Sequence, residues 1–338
     1  MNSYPKVAAN VVTRNRKVLL KQCLNSLTQQ SRRLSAVTVL DNGSTDGTDH
    51  MLLEEKYIEK LPKGNLQKPW VEQTEIKDTR GRPIRFKYMK YQKNLGSGGG
   101  RHEAIKNDYL EGYDWFWIVD DDTLVMPDTL EKIMEKIRFI KNEKIGFLGS
   151  KCLWKDDTIL KMNLPIIETF SNGKPFNLYE DKNVLIIKEC SFVSFILNRK
   201  TIETVGYPIK SFKIWGDDLE YSNRITSAGR LGFYVADSVV HHYMKNTSDI
   251  NVFTDEVHNL WKYPHGVSNN LYVIRRNNFL KYWFYLLRSL ILVNFKILLQ
   301  RKDYKIEFAW ANTKGSIASL WNFPNIYEDK PNPTPQEG

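Results

Sequence analysis

The chain has 338 residues, enough for about one catalytic domain with an appendage. Its 41% hydrophobic and 26% charged residues exclude a disordered or collagen-like protein. The net charge of +10 favours acidic partners such as a phosphorylated substrate or an anionic membrane, but no zinc-finger spacing or aromatic RNA-binding motif indicates nucleic-acid binding. The three cysteines form no paired motif, so they indicate neither a disulfide framework nor a zinc site. With an N-terminus unlike a secretory signal, they favour the cytoplasm.

Short apolar runs alternate with amphipathic stretches in the N-terminal half. They predict strands at 7–12, 37–40 and 116–119 and helices at 18–27 and 130–140. Such alternation is typical of βαβ units around a mostly parallel sheet, which binds ligands at the carboxyl ends of its strands. The segment 61–83 is rich in Lys, Pro, Gly and Gln, and predicts an irregular connection.

The segment VLDNGSTDGTD is an apolar strand that ends in Asp41 and a polar loop. A carboxylate there can accept hydrogen bonds from a nucleobase or a ribose. The same residue types also form an ordinary capped turn between a strand and a helix, and this alternative stays open.

A glycine-rich segment, NLGSGGGRHEA, lies between a predicted strand and a helix predicted to begin near Arg101. Gly98 and Gly99 would let a diphosphate or a sugar approach the backbone at a helix N-terminus, with Arg101 beside it. The segment is neither a P-loop nor a GxGxxG motif, so a flexible turn is an equal alternative.

In FWIVDDDTLVMPD an apolar strand runs directly into Asp120, Asp121 and Asp122. Three adjacent carboxylates repel one another unless a cation neutralises them, and oxygen ligands suit Mg²⁺ or Mn²⁺. Because side chains alternate along an extended segment, Asp120 and Asp122 should share one side and hold the metal. The alternative is a solvated acidic turn.

The segment WGDDLEY predicts a helix that opens with Asp217, Asp218 and Glu220. The helix N-terminus favours ionised carboxylates, and an ionised carboxylate near a sugar can act as a general base. Simple helix capping is the alternative. Trp215 and Tyr221 flank these acids and could stack on an acceptor sugar, although buried aromatic rings usually only pack.

Two histidines, His241 and His242, follow a later apolar run. A neutral imidazole there could complete the metal shell begun by the aspartates, although a lone histidine is usually structural.

The segment 272–299 predicts an apolar helix interrupted by Lys281, Arg288 and Lys296, which argues against a membrane-spanning segment. These three residues fall on one stripe of the helix, which suits either a helix in a membrane interface or a core helix with one wet side. The tail from residue 322 is rich in proline and charge and predicts no fixed structure.

Taken in order, VLDNGSTDGTD, NLGSGGGRHEA, VDDDTLVMPD, WGDDLEY and the later HH resemble family 2 glycosyltransferases of the GT-A fold. The NLGSGGG and WGDD segments most resemble bacterial galactofuranosyltransferases, with rhamnosyltransferase-like members close behind. Gly216, between Trp215 and the acidic pair, departs from that pattern. The resemblance spans about residues 6–245 and implies an α/β GT-A catalytic domain at 1–245. From the apolar helix with its basic stripe we expect a C-terminal helical region at 246–321 that could associate with membrane, and from its composition a flexible tail at 322–338.

The resemblance also implies roles for individual residues. Asp218 would be the catalytic base, and Asp120, Asp122 and His242 would bind Mn²⁺ or Mg²⁺. The donor nucleotide would contact the residues Thr13, Arg14, Asp41, Gly98, Gly99, Arg101, Asp120 and Asp121. The acceptor would contact Trp215, Asp217, Glu220 and Tyr221.

The expected function is therefore inverting, metal-dependent transfer of galactofuranose from UDP-galactofuranose to a saccharide acceptor in cell-surface polysaccharide synthesis. The acceptor is expected to be lipid-linked, at the inner face of the cell membrane. The alternatives are a rhamnosyltransferase that uses dTDP-rhamnose and a non-catalytic carbohydrate-binding protein. A nucleotidyltransferase is disfavoured because VVTRNRKVLL lacks the glycines of its phosphate loop.

Overall fold

A computed structural model describes residues 5–64, 66–243 and 251–332. The structure has an α/β fold with a central sheet between helices, as the sequence predicts. Its strands are β1 Val7–Thr13, β2 Ala36–Asp41, β3 Trp70–Lys77, β4 Pro83–Lys90, β5 Trp115–Asp120, β6 Thr123–Val125, β7 Ile145–Leu153, β8 Phe170–Ser171, β9 Lys174–Pro175, β10 Val184–Ile187, β11 Ser194–Asn198 and β12 Leu231–His242. Its helices are α1 Lys17–Thr28, α2 Thr48–Glu54, α3 Gly96–Leu110, α4 Thr129–Phe139, α5 Arg199–Val205, α6 Asp217–Ser227, α7 Lys262–Asn277, α8 Phe279–Arg288, α9 Asn294–Gln300 and α10 Lys305–Ala318.

The main sheet has the strand order β10-β12-β7-β11-β5-β1-β2-β4-β3, and β6 pairs with the end of β12. Strands β5, β1, β2 and β4 are parallel to one another, whereas β11 lies antiparallel between β5 and β7. The carboxyl ends of the parallel strands therefore meet at one edge of the sheet, where ligands of such folds bind.

Both faces of the central strands are buried, which explains their continuous apolar sequence. On β5, Trp117 packs in one cluster with Leu24 of α1 and Ile133 of α4. Its neighbour Phe116 points the other way and packs in a second cluster with Tyr109 of α3. The predicted strands at 7–12, 37–40 and 116–119 form with only small differences in their bounds.

The segment 61–83, predicted to be irregular, contains β3, and that prediction is wrong for these residues. Strand β3 is the edge strand of the sheet and pairs antiparallel with β4. Its residues alternate between half-buried and exposed. The polar sequence WVEQTEIK fits an edge strand because such a strand has only a partly covered face.

The predicted helix at 272–299 is two helices in the structure. Helix α7 ends at Asn277, and the next residue caps α8, because the Asn278 side-chain oxygen accepts from the Lys281 N–H at 2.9 Å. A π-helical turn, Ser289–Val293, then joins α8 to α9. The resulting helix, Phe279–Gln300, is long and apolar enough to cross a membrane by length and composition alone, and 17% of its most apolar window is buried.

The predicted flexible tail is wrong for residues 322–332, which lie against the α/β domain. The Ile326 carbonyl accepts from Arg224 at 3.1 Å, and Asp329 pairs with Lys106 at 2.6 Å. Lys330 donates to the Thr204 carbonyl at 2.9 Å. Specific polar contacts therefore fix a segment whose composition is typical of disorder. The end of the tail, 333–338, and the predicted domain boundary at 245 and 246 lie outside the described residues.

Candidate active site

A cleft of about 840 Å³ opens at the carboxyl ends of β1, β2 and β5. Thr13, Asn42 and Asp120 line it from the ends of these strands, as expected for ligand sites of parallel sheets. Helix α6 contributes Asp217 and Asp218 to another part of the wall. The C-terminal region closes the cleft through the α7 residues Lys262, Tyr263, Gly266, Val267 and Asn270. The region predicted as an appendage therefore forms part of the site.

Asp120, Asp122 and His242 form a cluster whose ligand atoms lie within 4.8 Å of one another. Pairing of β6 with β12 sets His242 opposite Thr123, which brings its Nε2 to 3.1 Å from Asp122 Oδ1. His241 lies apart and contacts Asp157 at 2.8 Å. Two carboxylates and an imidazole are a donor set that fits Mn²⁺ or Mg²⁺.

The charges and hydrogen bonds of Asp122 and His242 favour the binding of a cation at this cluster. Burial opposes ionisation of Asp122, but the hydrogen bond and charge of His242 lower its pKa below the usual range. Burial likewise favours neutral His242, but Asp122 raises the histidine pKa overall. A divalent cation would replace the imidazolium proton as the positive charge between these groups.

Asn163 is a cleft residue that the sequence analysis missed. Its side-chain oxygen lies 3.2 Å from His242 Nδ1, inside the buried part of the cleft. When His242 Nδ1 carries the proton and donates it to Asn163, the neutral imidazole presents the lone pair of Nε2 to the aspartates. Asn163 is the last residue of a short 3₁₀ turn that comes after β7. It lies 79 residues before His242, so no sequence motif contains both residues and predicts their contact.

Asp121 and Asp122 lie in the turn between β5 and β6 and not in an extended strand, so the alternation predicted for the three aspartates does not apply to them. Asp121 accepts from Thr13 Oγ1 at 2.7 Å and from Arg16 Nη1 at 2.9 Å. Burial raises its pKa to about 6, against the opposing charge of Arg16. Arg16 also reaches Asp122 at 2.6 Å, and its side chain is half exposed. Arg16, in the TRNR segment after β1, was not among the predicted site residues.

Arg101 connects the cluster of Asp120, Asp122 and His242, which we call the metal-type cluster, to the acidic residues at the start of α6. Its guanidinium donates to Asp120 at 2.5 Å and to Asp217 at 2.8 Å, and it stacks 4.9 Å from the Phe192 ring centroid. Only 8% of Arg101 is exposed. It therefore touches the cleft as predicted, but carboxylates already engage its charged group, so it holds Asp120 and Asp217 in place.

The glycine-rich segment does not form the predicted phosphate seat. Helix α3 begins at Gly96 rather than near Arg101, so Gly98 and Gly99 lie inside its first turn. The Gly98 N–H donates to the Phe212 carbonyl, and a Cβ on Gly98 would lie 2.4 Å from the Ile209 carbonyl oxygen. On Gly99 a Cβ would lie 3.1 Å from the Lys210 carbonyl oxygen. The glycines let α3 pack against the 209–213 loop.

Asp41 does not face the cleft, which corrects its predicted role as a base contact. Its side chain is fully buried, and it accepts from the Ser44 N–H at 2.7 Å and from the Tyr88 hydroxyl at 2.6 Å. The next residue, Asn42, lines the cleft instead. Asn42 donates to the Gly96 carbonyl at 2.9 Å. The capped-turn alternative therefore describes Asp41.

Asp218 lines the cleft at the N-terminus of α6. The Leu219 N–H donates to its Oδ1 at 2.8 Å. Burial and the neighbouring charge of Asp217 raise the pKa of Asp218 to about 7. A carboxylate with such a pKa can take up a proton near neutral pH, which is the requirement for a general base.

Trp215 and Gly216 form the turn that starts α6, with φ values of 55° and 84°. Trp215 lines the cleft and packs edge-on against Tyr263 with ring centroids 5.2 Å apart. Gly216 packs close to Asn269 of α7, which leaves little room for a larger residue. The departure from the family pattern at Gly216 thus coincides with contact to the C-terminal region.

Glu220 and Tyr221 point into the protein, which corrects their predicted contact with the acceptor. Tyr221 is fully buried in the core, and its hydroxyl donates to the Gly206 carbonyl at 2.8 Å. Glu220 is 1% exposed and pairs with Arg224 at 2.9 Å and Arg276 at 2.5 Å. Asp217, also predicted there, lines the cleft but is engaged by Arg101 and Ser97. Of the predicted nucleotide contacts, Arg14 is exposed on the cleft wall.

Among solved structures, the mannosyltransferase PcManGT from Pyrobaculum calidifontis, in complex with GDP-Man and Mn²⁺, aligns over 95% of this chain and 88% of its own, with 14% identity and a TM-score of 0.51. TarS from S. aureus aligns over 94% of this chain with 15% identity and a TM-score of 0.49. The chain spans 44% of that TarS chain. This likeness concerns the fold alone. No curated protein matches the chain in sequence.

A family model described as glycosyl transferase family 2 matches residues 10–64 and 71–202. The match includes β1, β2, the glycine-rich start of α3 and the three aspartates after β5, and it covers more than half of the chain. The chain is therefore a glycosyltransferase that belongs to family 2 and has the GT-A fold.

Proposed function

We propose that this glycosyltransferase moves a sugar from a nucleoside diphosphate donor to a saccharide hydroxyl with inversion at the anomeric carbon. The observation that carries the proposal is that one cleft holds both a metal-type cluster and Asp218, connected through Arg101 and Asp217. A transferase needs both a means to stabilise the departing diphosphate and a base for the incoming hydroxyl.

Asp120, Asp122 and His242 would hold Mn²⁺ or Mg²⁺. A divalent cation there supplies positive charge that stabilises the diphosphate as it departs. PcManGT was solved in complex with GDP-Man and Mn²⁺, which supports a metal and a nucleotide sugar for this fold. The exposed Arg14 and the half-exposed Arg16 add positive charge at the same end of β1.

Asp218 would accept the proton of the acceptor hydroxyl. As that proton leaves, the acceptor oxygen forms a bond to the anomeric carbon on the face opposite the diphosphate. The bond from the anomeric carbon to the phosphate oxygen breaks, and the nucleoside diphosphate takes its electron pair. No covalent intermediate with the enzyme is needed. Trp215, on the cleft wall, offers an aromatic edge for the acceptor sugar.

For the sugar, the sequence segments NLGSGGG and WGDD favour galactofuranose from UDP-galactofuranose, with a lipid-linked saccharide as acceptor. Rhamnose from dTDP-rhamnose is the second candidate, on the same resemblance. A purified enzyme incubated with each donor and a synthetic lipid-linked saccharide, followed by mass spectrometry, tests the choice. Transfer from the UDP donor supports the first candidate. Transfer from the dTDP donor alone would replace galactofuranose by rhamnose as the proposed sugar. Transfer from neither donor would show that both sugar assignments are wrong.

A further inference from the structure

The helix Phe279–Gln300 exposes a row of apolar side chains on the side that faces away from the protein. We call these side chains the outer face. They are exposed by 81% at Leu280, 64% at Phe284, 56% at Leu287, 62% at Ile291, 59% at Phe295 and 44% at Leu298. They recur every three or four residues, so they share one side of the helix. Isolated apolar residues are common on protein surfaces, but a whole apolar helix side marks a binding surface.

The opposite side of the same helix holds polar contacts. Ser289 lies 2.8 Å from Ser316 of α10, and its backbone carbonyl accepts from Asn312 at 3.0 Å. Asn294 donates to Thr313 at 2.7 Å. Because these buried hydrogen bonds fix the rotation of the helix, the outer face cannot turn inward without breaking them. The inner side also buries Tyr282, Leu286 and Ile297. The helix is therefore apolar on both sides, whereas an ordinary surface helix has one polar side.

Exposed basic residues border the outer face. At about 100° per residue, Lys281, Arg288 and Lys296 form a stripe between the outer face and the buried side. From residue 279 to 321 the acidic residues are Asp303 and Glu307 alone, whereas the basic residues are Lys281, Arg288, Lys296, Arg301, Lys302, Lys305 and Lys314. Arg301 is buried and donates to backbone carbonyls, so it adds no charge to the surface. The surface is therefore apolar in its middle and positive along its border.

Exposed tryptophans occur in the same region. Trp283 is 43% exposed, and Trp310 of α10 and the following Trp321 are 55% and 71% exposed. Tryptophan favours the boundary between water and lipid, where its ring is apolar and its N–H stays hydrated. Helix α7, which directly precedes α8, forms a wall of the cleft, so the cleft wall and the outer face belong to consecutive helices.

We propose that α8, α9 and α10 dock the enzyme on an anionic lipid bilayer, with the outer face in the headgroup region and α8–α9 parallel to the membrane plane. A helix with an apolar side and a basic border suits that position. A second copy of the chain fits less well, because an antiparallel two-fold interface through the outer face would bring two basic stripes together. This inference rests on the proposed lipid-linked acceptor only for its biological role. The exposure and charge of α8 to α10 support membrane binding whether or not the proposed reaction is correct.

Flotation of the full chain with lipid vesicles tests the proposal. One set of vesicles is phosphatidylcholine alone, and the other is equal parts phosphatidylcholine and phosphatidylglycerol. The outer-face variant carries Leu280→Gln, Phe284→Gln and Ile291→Gln. Its matched control carries Leu110→Gln, Phe139→Gln and Phe170→Gln, which are comparably exposed elsewhere. A second variant carries Lys281→Gln, Arg288→Gln and Lys296→Gln.

The unmodified chain and the control should float with the anionic vesicles, whereas the outer-face variant should remain in solution. Loss of three charges should weaken anionic binding roughly 100-fold and remove most of its salt dependence. The proposal is overturned if the unmodified chain ignores both vesicles or if the outer-face variant floats unchanged. Light scattering of the same proteins tests the alternative of a second copy. If the unmodified chain is a dimer that binds no vesicle, and the outer-face variant is a monomer, the outer face is a dimer interface instead. UDP binding with Mn²⁺ by the same variants shows separately whether the proposed function holds.

Discussion

At the scale of single residues, Asp218 is the group on which the proposed chemistry depends most. Replacement by asparagine keeps the size of the side chain but removes its ability to accept a proton. We expect Asp218→Asn to lower kcat by roughly 10²- to 10⁴-fold, while binding of UDP with Mn²⁺ stays within about twofold. Asp128→Asn, at an exposed carboxylate outside the cleft, is the control and should keep full activity. Full activity in Asp218→Asn would remove this residue from the mechanism.

The pH dependence of kcat/KM follows from the same carboxylate. Burial and Asp217 raise the pKa of Asp218 to about 7, and only its ionised form can accept a proton. Activity should therefore be low in acid, rise through about pH 7 and level off above it. The residual activity of Asp218→Asn should lack this rise. An activity profile that is flat from acid to neutral pH would show that a different group is the base.

We expect Asn163 to act on metal binding through its contact with His242. We expect Asn163→Ala to weaken Mn²⁺ binding by about 10- to 100-fold, because the imidazole loses the partner that orients it. Asn177→Ala, at an exposed asparagine between β9 and β10, is the matched control. Calorimetric titration of Mn²⁺ measures both. Equal affinity in both variants would show that Asn163 does not orient the metal ligand.

Several site residues could be predicted from local sequence alone. Asp120, Asp122 and Asp218 follow directly from their places after an apolar strand or at a helix start. Asn163 could not be predicted, because β-strand pairing and loop packing set its contact with His242. Asp41 was misassigned because the composition of its loop serves a buried capped turn as well as a ligand contact.

At the scale of elements, α6 joins the catalytic domain to the C-terminal region. Buried Glu220 pairs with Arg224 on α6 and with Arg276 on α7. Glu220→Ala would leave Arg224, which is 2% exposed, without its carboxylate. We expect this to lower the free energy of unfolding by about 3 kcal/mol.

Urea denaturation of Glu220→Ala measures that loss. The exposed pair of Asp128 and Lys132 has the same i,i+4 spacing, and Asp128→Ala should cost less than about 1 kcal/mol. If the two variants unfolded at the same urea concentration, the α6 ion pair would contribute no more than a surface pair.

Elements of the parallel core were predictable because strands buried on both faces carry continuous apolar runs. Strand β3 escaped prediction because, at the sheet edge, polar residues replace that signal. The start of α3 was placed too late because glycines usually end or weaken helices. Here they are required by the backbone of the 209–213 loop, which leaves no room for a Cβ at Gly98.

At the scale of the whole molecule, the C-terminal region closes the cleft and presents an apolar surface. Asn269 of α7 donates to the Trp215 carbonyl at 2.9 Å, next to the turn that carries Asp217 and Asp218. The same region continues into α8 and its exposed outer face. The acids at the start of α6 and the proposed membrane surface are therefore parts of one connected structure.

The central claim is that a metal held by Asp120, Asp122 and His242 binds the donor nucleotide in this cleft. The measurement that tests it most directly is the thermal stability of the protein with UDP, in Mn²⁺ and in EDTA, for the unmodified chain and for Asp122→Asn. With Mn²⁺ and UDP at about 100 times its dissociation constant, the unmodified chain should gain roughly 2.7 kcal/mol, and neither EDTA nor Asp122→Asn should allow that gain. An equal stabilisation by UDP in EDTA, or an undiminished one in Asp122→Asn, would contradict the account.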